Sequence, residues 1–326
     1  MRRARDHRAA YLPPSGHARP SPPRRQHWPH GFARPRGTGI IRAAAVVCAA
    51  VGLAAILYPS GSGSIALAPP EQPDLTAAVV PAVDSAGFFV ALHEGLFIKN
   101  GLRVRFIPAI SSETVVGAQE AGQISISCGN YVSFIHAQET RKADLDIFAE
   151  GSVMKAGAQG YVVPGNGFPS LLRDLKGGTI AINAPGNILY LLAASVLAED
   201  GIPPGQVHFV VPPGGFPTML AWLREKRVDA AVLPEPFASI AGLSFGATPL
   251  ADLDQGATAN FPEQGCAATK AWGTAHPRML AAFLAAYQQG QQLADTSRPK
   301  VEEALESLPA PYGLTPVQAA VVALDS

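Results

Sequence analysis

Cysteine is scarce in this chain, with three residues in 326, at positions 48, 128 and 266. No two have zinc spacing, which excludes a disulfide-dense scaffold and a zinc-finger type of site. Charged residues make up only 15% of the chain, and basic charge is scarcer still where a fold can form. Residues 1–42 hold ten Arg and one Asp, so the remainder carries 15 basic against 24 acidic residues. That acidic remainder has no basic face for phosphate, and nucleic acid is excluded as its partner. His93, His136, His208 and His276 are scattered without a second ligand at helical spacing, so neither a metal site nor a cofactor is expected. What the chain does have is 48% hydrophobic residues, enough for one or two cores at this length.

Residues 1–39 are rich in Arg, Pro and His, too polar to pack, and read as a disordered basic tail. Residues 43–58 form an uninterrupted apolar run that leads into Pro59-Ser60-Gly61-Ser62-Gly63-Ser64. Basic, then apolar, then small is the order of an export signal. As a helix the run spans roughly 24 Å, less than the roughly 30 Å hydrocarbon core. Nothing charged lies between Arg42 and Glu71, so an uncleaved anchor with its basic end in the cytoplasm is the alternative. Residues 40–74 are therefore read as signal or anchor helix plus linker, with cleavage near Ala66, and the protein as exported, periplasmic or at the cell surface. Cys48 follows Val47, which argues against lipid attachment. Arg24-Arg25 continues into Gln26-His27-Trp28 far from the apolar run, a poor twin-Arg signal.

Beyond the linker, strands alternate with helices. Strands are expected at 76–83, 103–108, 123–128 and 145–149, and a short one at 160–165, stopped by turn residues, is expected to mark the first crossing to a second lobe near Val163-Pro164. That lobe would hold strands at 179–182, 207–211 and 229–233 and helices at 187–198 and 217–226. The chain is expected to cross back after Glu235-Pro236-Phe237 toward a strand near 265–272. The helix 277–293 presents Met279, Leu280, Phe283, Leu284 and Tyr287 at three- and four-residue steps and should cover the first lobe. The fold class is thus α/β, with mostly parallel sheets. The boundaries are 75–164 with 251–326 for lobe 1 and 165–250 for lobe 2.

Four loops at expected strand ends combine Gly with a small or Asx residue just before a helix: Asp84-Ser85-Ala86-Gly87, Cys128-Gly129-Asn130-Tyr131, Asn183-Ala184-Pro185-Gly186-Asn187 and Pro212-Pro213-Gly214-Gly215. Such loops let backbone approach a ligand while a polar side chain points at it; the ordinary alternative is helix capping. Candidate ligand contacts are therefore Asp84, Ser85, Asn130, Tyr131, Pro185, Gly186, Asn187, Gly214 and Gly215. Phe88, Phe89 and Tyr131 would wall an aromatic or apolar part, with at least one of the two Phe packed in the core instead. None of the loops carries Lys or Arg, so an anionic group would rest on helix N-termini and on Asn130 and Asn187. Glu235, fixed between two prolines, is given a hinge or cleft-rim role. Cys128 and Cys266 both fall in expected strands of lobe 1 and could meet in an oxidising compartment, but two Cys alone do not establish a bridge, and buried free thiols are the favoured reading.

Other patterns fail on context. Gly242-Leu243-Ser244-Phe245-Gly246 matches the nucleophile-elbow spacing, but a helix precedes it and a strand follows, the reverse of what that chemistry requires. Gly61-Ser62-Gly63 imitates a dinucleotide-binding loop inside the export segment. No catalytic residue is assigned.

Three segments together carry a family resemblance. They are residues 91–97 with Gly101-Leu102, the run Gly122-Gln123-Ile124-Ser125-Ile126, and the run Arg227-Val228-Asp229-Ala230-Ala231-Val232-Leu233-Pro234-Glu235-Pro236-Phe237. In order and spacing the chain resembles the nitrate/sulfonate/taurine type of ABC-transporter substrate-binding proteins, a group that also contains carriers and synthases of thiamine pyrimidine precursors. Ser125 stands where that family usually has Asp, and Lys226-Arg227 where it has Gly. The resemblance implies a two-lobed periplasmic-binding fold of the second topological type. It also implies a monomer that captures a small polar, sulfonate-, nitrate- or taurine-like solute by hinge closure and delivers it to an ABC permease. The rivals are an enzyme on the same fold, such as a pyrimidine-precursor synthase, and a truncated, non-functional homologue lacking C-terminal helices.

Overall fold

A computed structural model describes residues 68–140, 142–165 and 169–322. The tail and the apolar run 43–58 lie outside the described residues. Among the described residues no helix is long and apolar enough to cross a membrane.

The chain first lays down β1 (Asp74–Val79), α1 (Ala86–His93), α2 (Leu96–Lys99), β2 (Arg103–Pro108), α3 (Ser112–Glu120), β3 (Ile126–Asn130), α4 (Tyr131–Glu139) and β4 (Leu145–Val153). It then builds a second unit from β5 (Gln159–Val163), β6 (Thr179–Ala181), α5 (Ile188–Glu199), β7 (His208–Val210), α6 (Phe216–Arg224), β8 (Ala230–Pro234), α7 (Phe237–Phe245) and β9 (Thr248–Asp252). Finally it returns through β10 (Pro262–Thr269), α8 (Lys270–Ala275), α9 (Pro277–Thr296), α10 (Arg298–Glu306) and α11 (Pro316–Val321).

Two five-stranded sheets result, ordered β2-β1-β3-β10-β4 in lobe 1 and β7-β6-β8-β5-β9 in lobe 2. Each combines parallel pairs with one antiparallel strand: β10 runs against β3 and β4, and β5 against β8 and β9. The sheets are therefore mixed, where the alternation of elements suggested mostly parallel ones. Burial explains the strand sequences. Central β3, β5 and β8 are buried at every position, as apolar runs covered on both faces must be. Edge strand β2 exposes Arg103 and Arg105 on one face, charges that discourage pairing with another chain.

The crossings differ from expectation. Strands β5 and β9 both belong to the lobe 2 sheet, so the chain crosses at residues 154–158 and returns at 253–261. The segment 160–163 pairs with β8 and β9 and is not itself a crossing. Glu235 does not lie on a crossing but is tied to one: its N–H donates to the Ala158 carbonyl (2.9 Å), and its own carbonyl accepts from Val83 N–H of lobe 1 (2.9 Å).

Lobe 1 is centred on an aromatic cluster. The Phe88 ring lies 5.4 Å from that of Phe97, 6.1 Å from Phe106 and 6.3 Å from Phe283. Helix α9 covers this cluster as its apolar spacing foretold, with Met279, Phe283 and Tyr287 all buried. It seats closely on α1 because Gly290 has no side chain; a Cβ there would come within 2.2 Å of the Gly87 carbonyl oxygen. In lobe 2 the buried Tyr161 hydroxyl donates to the Ala193 carbonyl at 2.8 Å, which satisfies its polar end inside the core.

The two cysteines depart from the free-thiol reading. Antiparallel register sets Cys128 directly opposite Cys266, their Cα atoms 4.0 Å apart, and they are joined by a disulfide. The sequence allows this bridge without fixing it, because the register of two strands 138 residues apart has no local signal.

Candidate functional site

Strand ends of the two lobes face each other across a cleft, the position where open α/β sheets hold ligands. Lobe 1 contributes Asp84 after β1, Ser112 at the start of α3 and Asn130 at the end of β3. Lobe 2 contributes Asn183 and Asn187 before α5, and Phe216 after β7. Between them lies an inner cavity of about 20 Å³, room for little more than a water molecule. Direct contacts hold the lobes together here. Gly186 N–H donates to Glu113 Oε2 (3.3 Å), Ser133 Oγ donates to the Gly186 carbonyl (3.5 Å) and Asn183 Nδ2 to the Ile110 carbonyl (3.4 Å). All three are long, hence weak.

Toward the crossings the space widens into a cavity of about 500 Å³ that shares Asp84, Gln159 and Pro234 with the inner one. Its walls are the first crossing, the Pro234-Glu235 turn, Glu263 of β10 and the junction of α9 with α10. We refer to it as the hinge cavity.

Carboxyls dominate its chemistry. Burial pushes Asp84 up to about 6 and Glu235 up to about 7, and raises Glu263 well above the usual carboxylate range, with the neighbouring Asp84 charge adding to the shift. Glu263 and Asp84 both line the hinge cavity. Two carboxyls in one buried region disfavour each other's ionisation. Ser152 Oγ donates to Glu263 Oε2 at 3.1 Å, whereas Glu263 Oε1 and Gln159 Oε1 are buried without a hydrogen-bond partner. Glu235 is held by Ser239, whose Oγ donates to Oε1 at 2.9 Å and whose N–H donates to Oε2 at 3.3 Å.

The structure brings part of the expected set together. Asp84, Asn130 and Asn187 line the inner cavity and Glu235 lines the hinge cavity. Ser85 is buried just behind, donating to Gln264 Oε1 at 3.3 Å, while Gln264 Nε2 donates to the Asp84 carbonyl. Gly186 and Gly215 sit at the contact between the lobes. Gly215, at φ +70°, faces Ile110 so closely that a Cβ would meet its side chain at 2.9 Å. Pro185 and Gly214 are exposed and line neither cavity.

Two aromatic assignments change. Phe88 has 0% exposure, so it has no surface to offer a solute; it and Phe89 are both core. Tyr131 turns onto β10, where a Cβ on Gly265 would meet its ring at 2.8 Å, and it lines neither cavity.

Asn130 and Asn187 are helix N-caps as well as cleft residues. Asn130 Oδ1 accepts from Ser133 N–H (2.8 Å) and its Nδ2 donates to Ser112 Oγ (3.2 Å). Asn187 Oδ1 accepts from Tyr190 N–H (3.2 Å) and its Nδ2 donates to Asn183 Oδ1 (2.5 Å). Both amides are therefore engaged within the protein.

Sequence reasoning missed Gln159, Glu263 and Gln264. The signal for the last two is a polar pair inside a strand that is buried from Glu263 to Ala268. Gln159 opens the fully buried β5. Ser244 lies in the last turn of α7, which Gly246 caps at φ +71° ahead of β9, so no strand-to-helix elbow exists there. Among the described residues no group of three or more His, Cys, Asp or Glu is placed to hold a metal ion.

Two α/β lobes joined by two crossings around a polar cleft define the periplasmic-binding class of fold, and solved structures agree. The chain is similar to the alkanesulfonate-binding protein SsuA of Xanthomonas axonopodis pv. citri bound to MOPS, with 20% identity, 76% of this chain and 83% of that one covered, and a TM-score of 0.65. It is similar also to the periplasmic aliphatic sulphonate binding protein SsuA of Escherichia coli (21%, 74% and 81%, 0.59) and to the periplasmic nitrate-binding protein NrtA of Synechocystis PCC 6803 (17%, 74% and 67%, 0.62). Residues 68–308 match the NMT1-like family, and the chain belongs to that family. No curated protein matches it.

Proposed function

We propose that this protein is the extracytoplasmic solute-binding component of an ABC importer, which captures a small polar solute between its lobes and presents the closed form to a membrane permease. No bond is made or broken; the chemistry is recognition followed by hinge closure. The observation that carries this reading is the cleft itself. Loops from both lobes meet there through long, weak hydrogen bonds, and behind them lies a cavity with buried polar walls. A ligand that bridges the lobes contacts both and so has the leverage to set their position. The fold shared with sulfonate- and nitrate-binding proteins of importers supports the same reading. The Cys128–Cys266 disulfide supports a location outside the reducing cytoplasm.

A sulfonate or nitrate in the hinge cavity would meet Asp84, Glu235 and Glu263 in its buried part, with its two basic residues, Lys155 and Arg298, at exposed positions, and no basic side chain lines the inner cavity. That arrangement disfavours the anionic solute suggested by the family resemblance. The test is a thermal-shift screen of sulfonates, nitrate, taurine, pyrimidines, flavin precursors and amines against the purified protein. A saturable upward shift with one chemical class supports the reading. Turnover of a compound instead of its reversible binding would favour an enzyme on this fold.

A further inference from the structure

We propose that the solute carries a primary ammonium group on a short aliphatic chain, its charged head among Asp84, Glu263 and Gln159 and its chain in the hinge cavity. This rests on the solute-binding reading and names the chemistry of its ligand.

The argument starts from unsatisfied acceptors. Gln159 Oε1 and Glu263 Oε1 are buried with no hydrogen-bond partner, and the residues that carry them are 3% and 2% exposed. A buried acceptor left unpaired costs about 1–3 kcal/mol, and both residues are among those that line the hinge cavity, so a donor belongs there. An ionised Asp84 offers only lone pairs, so it cannot supply the donor that Glu263 Oε1 lacks. An ammonium group presents three N–H donors and no acceptor, which complements a wall made of two carboxyls and an amide oxygen.

The remaining walls narrow the class. No aromatic residue lines the hinge cavity, so it lacks the cage by which quaternary ammonium groups are held. Its apolar part is small and aliphatic, made by Val83, Ala86, Val153, Ala158, Ala294 and Val301. A metal ion does not fit either, since these carboxyls do not come together as a ligand set. The two basic residues of the cavity stand at its exposed rim and are engaged elsewhere. Lys155 Nζ donates to Asn260 Oδ1 (3.5 Å), and Arg298 pairs with Glu302 (2.6 Å) and with the Ala320 and Val322 carbonyls. Neither basic residue satisfies the free acceptors of the inner wall, and a donor placed there acts in low-dielectric surroundings where its attraction to them is strong.

Calorimetry and thermal shift with 1-aminopropane and 1,4-diaminobutane as probes, against ethanesulfonate and nitrate, test this on the wild type and on Glu263→Gln. The expected result is saturable binding of an amine, no binding of either anion, and at least a tenfold loss of amine affinity in Glu263→Gln. Should that variant fail to fold, Gln159→Leu carries the same test, with a similar direction of effect. Absence of amine binding overturns the proposal, as does amine binding that neither substitution weakens. If ethanesulfonate or nitrate binds instead, the ammonium assignment falls while the solute-binding function stands. If no probe and no member of the wider screen binds, both fall.

Discussion

Replacing Glu235 with Gln should change how stability depends on pH. Glu235 is 5% exposed at the turn that docks on the first crossing, and burial lifts its carboxyl from 4.5 to about 7. A carboxyl raised on folding binds its proton more tightly in the folded state than in the unfolded one. Its contribution is thus fully present below pH 4.5 and is lost as pH rises through about 7. At about 1.4 kcal/mol per pH unit, the wild type should lose about 2–3 kcal/mol through this group alone between pH 5 and pH 8. The amide of Gln keeps an oxygen to accept from Ser239 and has no charge to bury, so Glu235→Gln should escape this loss. Asp84 and Glu263 titrate in both proteins and largely cancel in the comparison. Urea unfolding followed by circular dichroism at pH 5 and pH 8 measures the difference. If wild type and variant lose equal stability between the two pH values, Glu235 is not a buried, uncompensated carboxyl and the description of the hinge cavity fails.

Intact-mass analysis after alkylation should show two more modified cysteines with reduction than without it, and Cys128→Ser with Cys266→Ser should lower stability by about 2–5 kcal/mol. Asn130→Leu and Asn187→Leu should each cost about 1–3 kcal/mol through the lost cap and the partners left unpaired, so thermal melting must accompany any affinity measured on them. Gly290→Val should destabilise by about 1–3 kcal/mol, read in denaturant midpoint, because the side chain must displace α1. Cell fractionation should place the protein outside the cytoplasm or at the membrane; a wholly cytosolic pool contradicts the export reading.

Much of the fold was legible because its signals are local. Gly and Asx residues ahead of apolar helices marked the loops at Asp84, Asn130 and Asn187, and the 3.6-residue spacing of Met279, Phe283 and Tyr287 marked the helix over lobe 1. What stayed hidden depends on register and on distant pairing. Whether residues 160–163 end one lobe or begin the next is decided by pairing with β8 and β9, which no local pattern encodes. Cys128 and Cys266 meet only once β10 is threaded antiparallel beside β3. Phe88 resembled a cleft residue through its nearness to the Asp84 turn, yet helical geometry turns its side chain inward. The carboxyl of Glu263 escaped notice because a lone acid in a strand looks like a solvated face, and only the packed structure shows it facing Asp84.

The central claim is that two lobes close on a solute. Small-angle scattering of the protein alone and with the compound that gives the largest thermal shift tests it most directly. A smaller radius of gyration with that compound, at unchanged circular dichroism, is the predicted result. Identical scattering profiles at saturation would mean a rigid scaffold with a preformed pocket, and would contradict hinge closure as the mechanism.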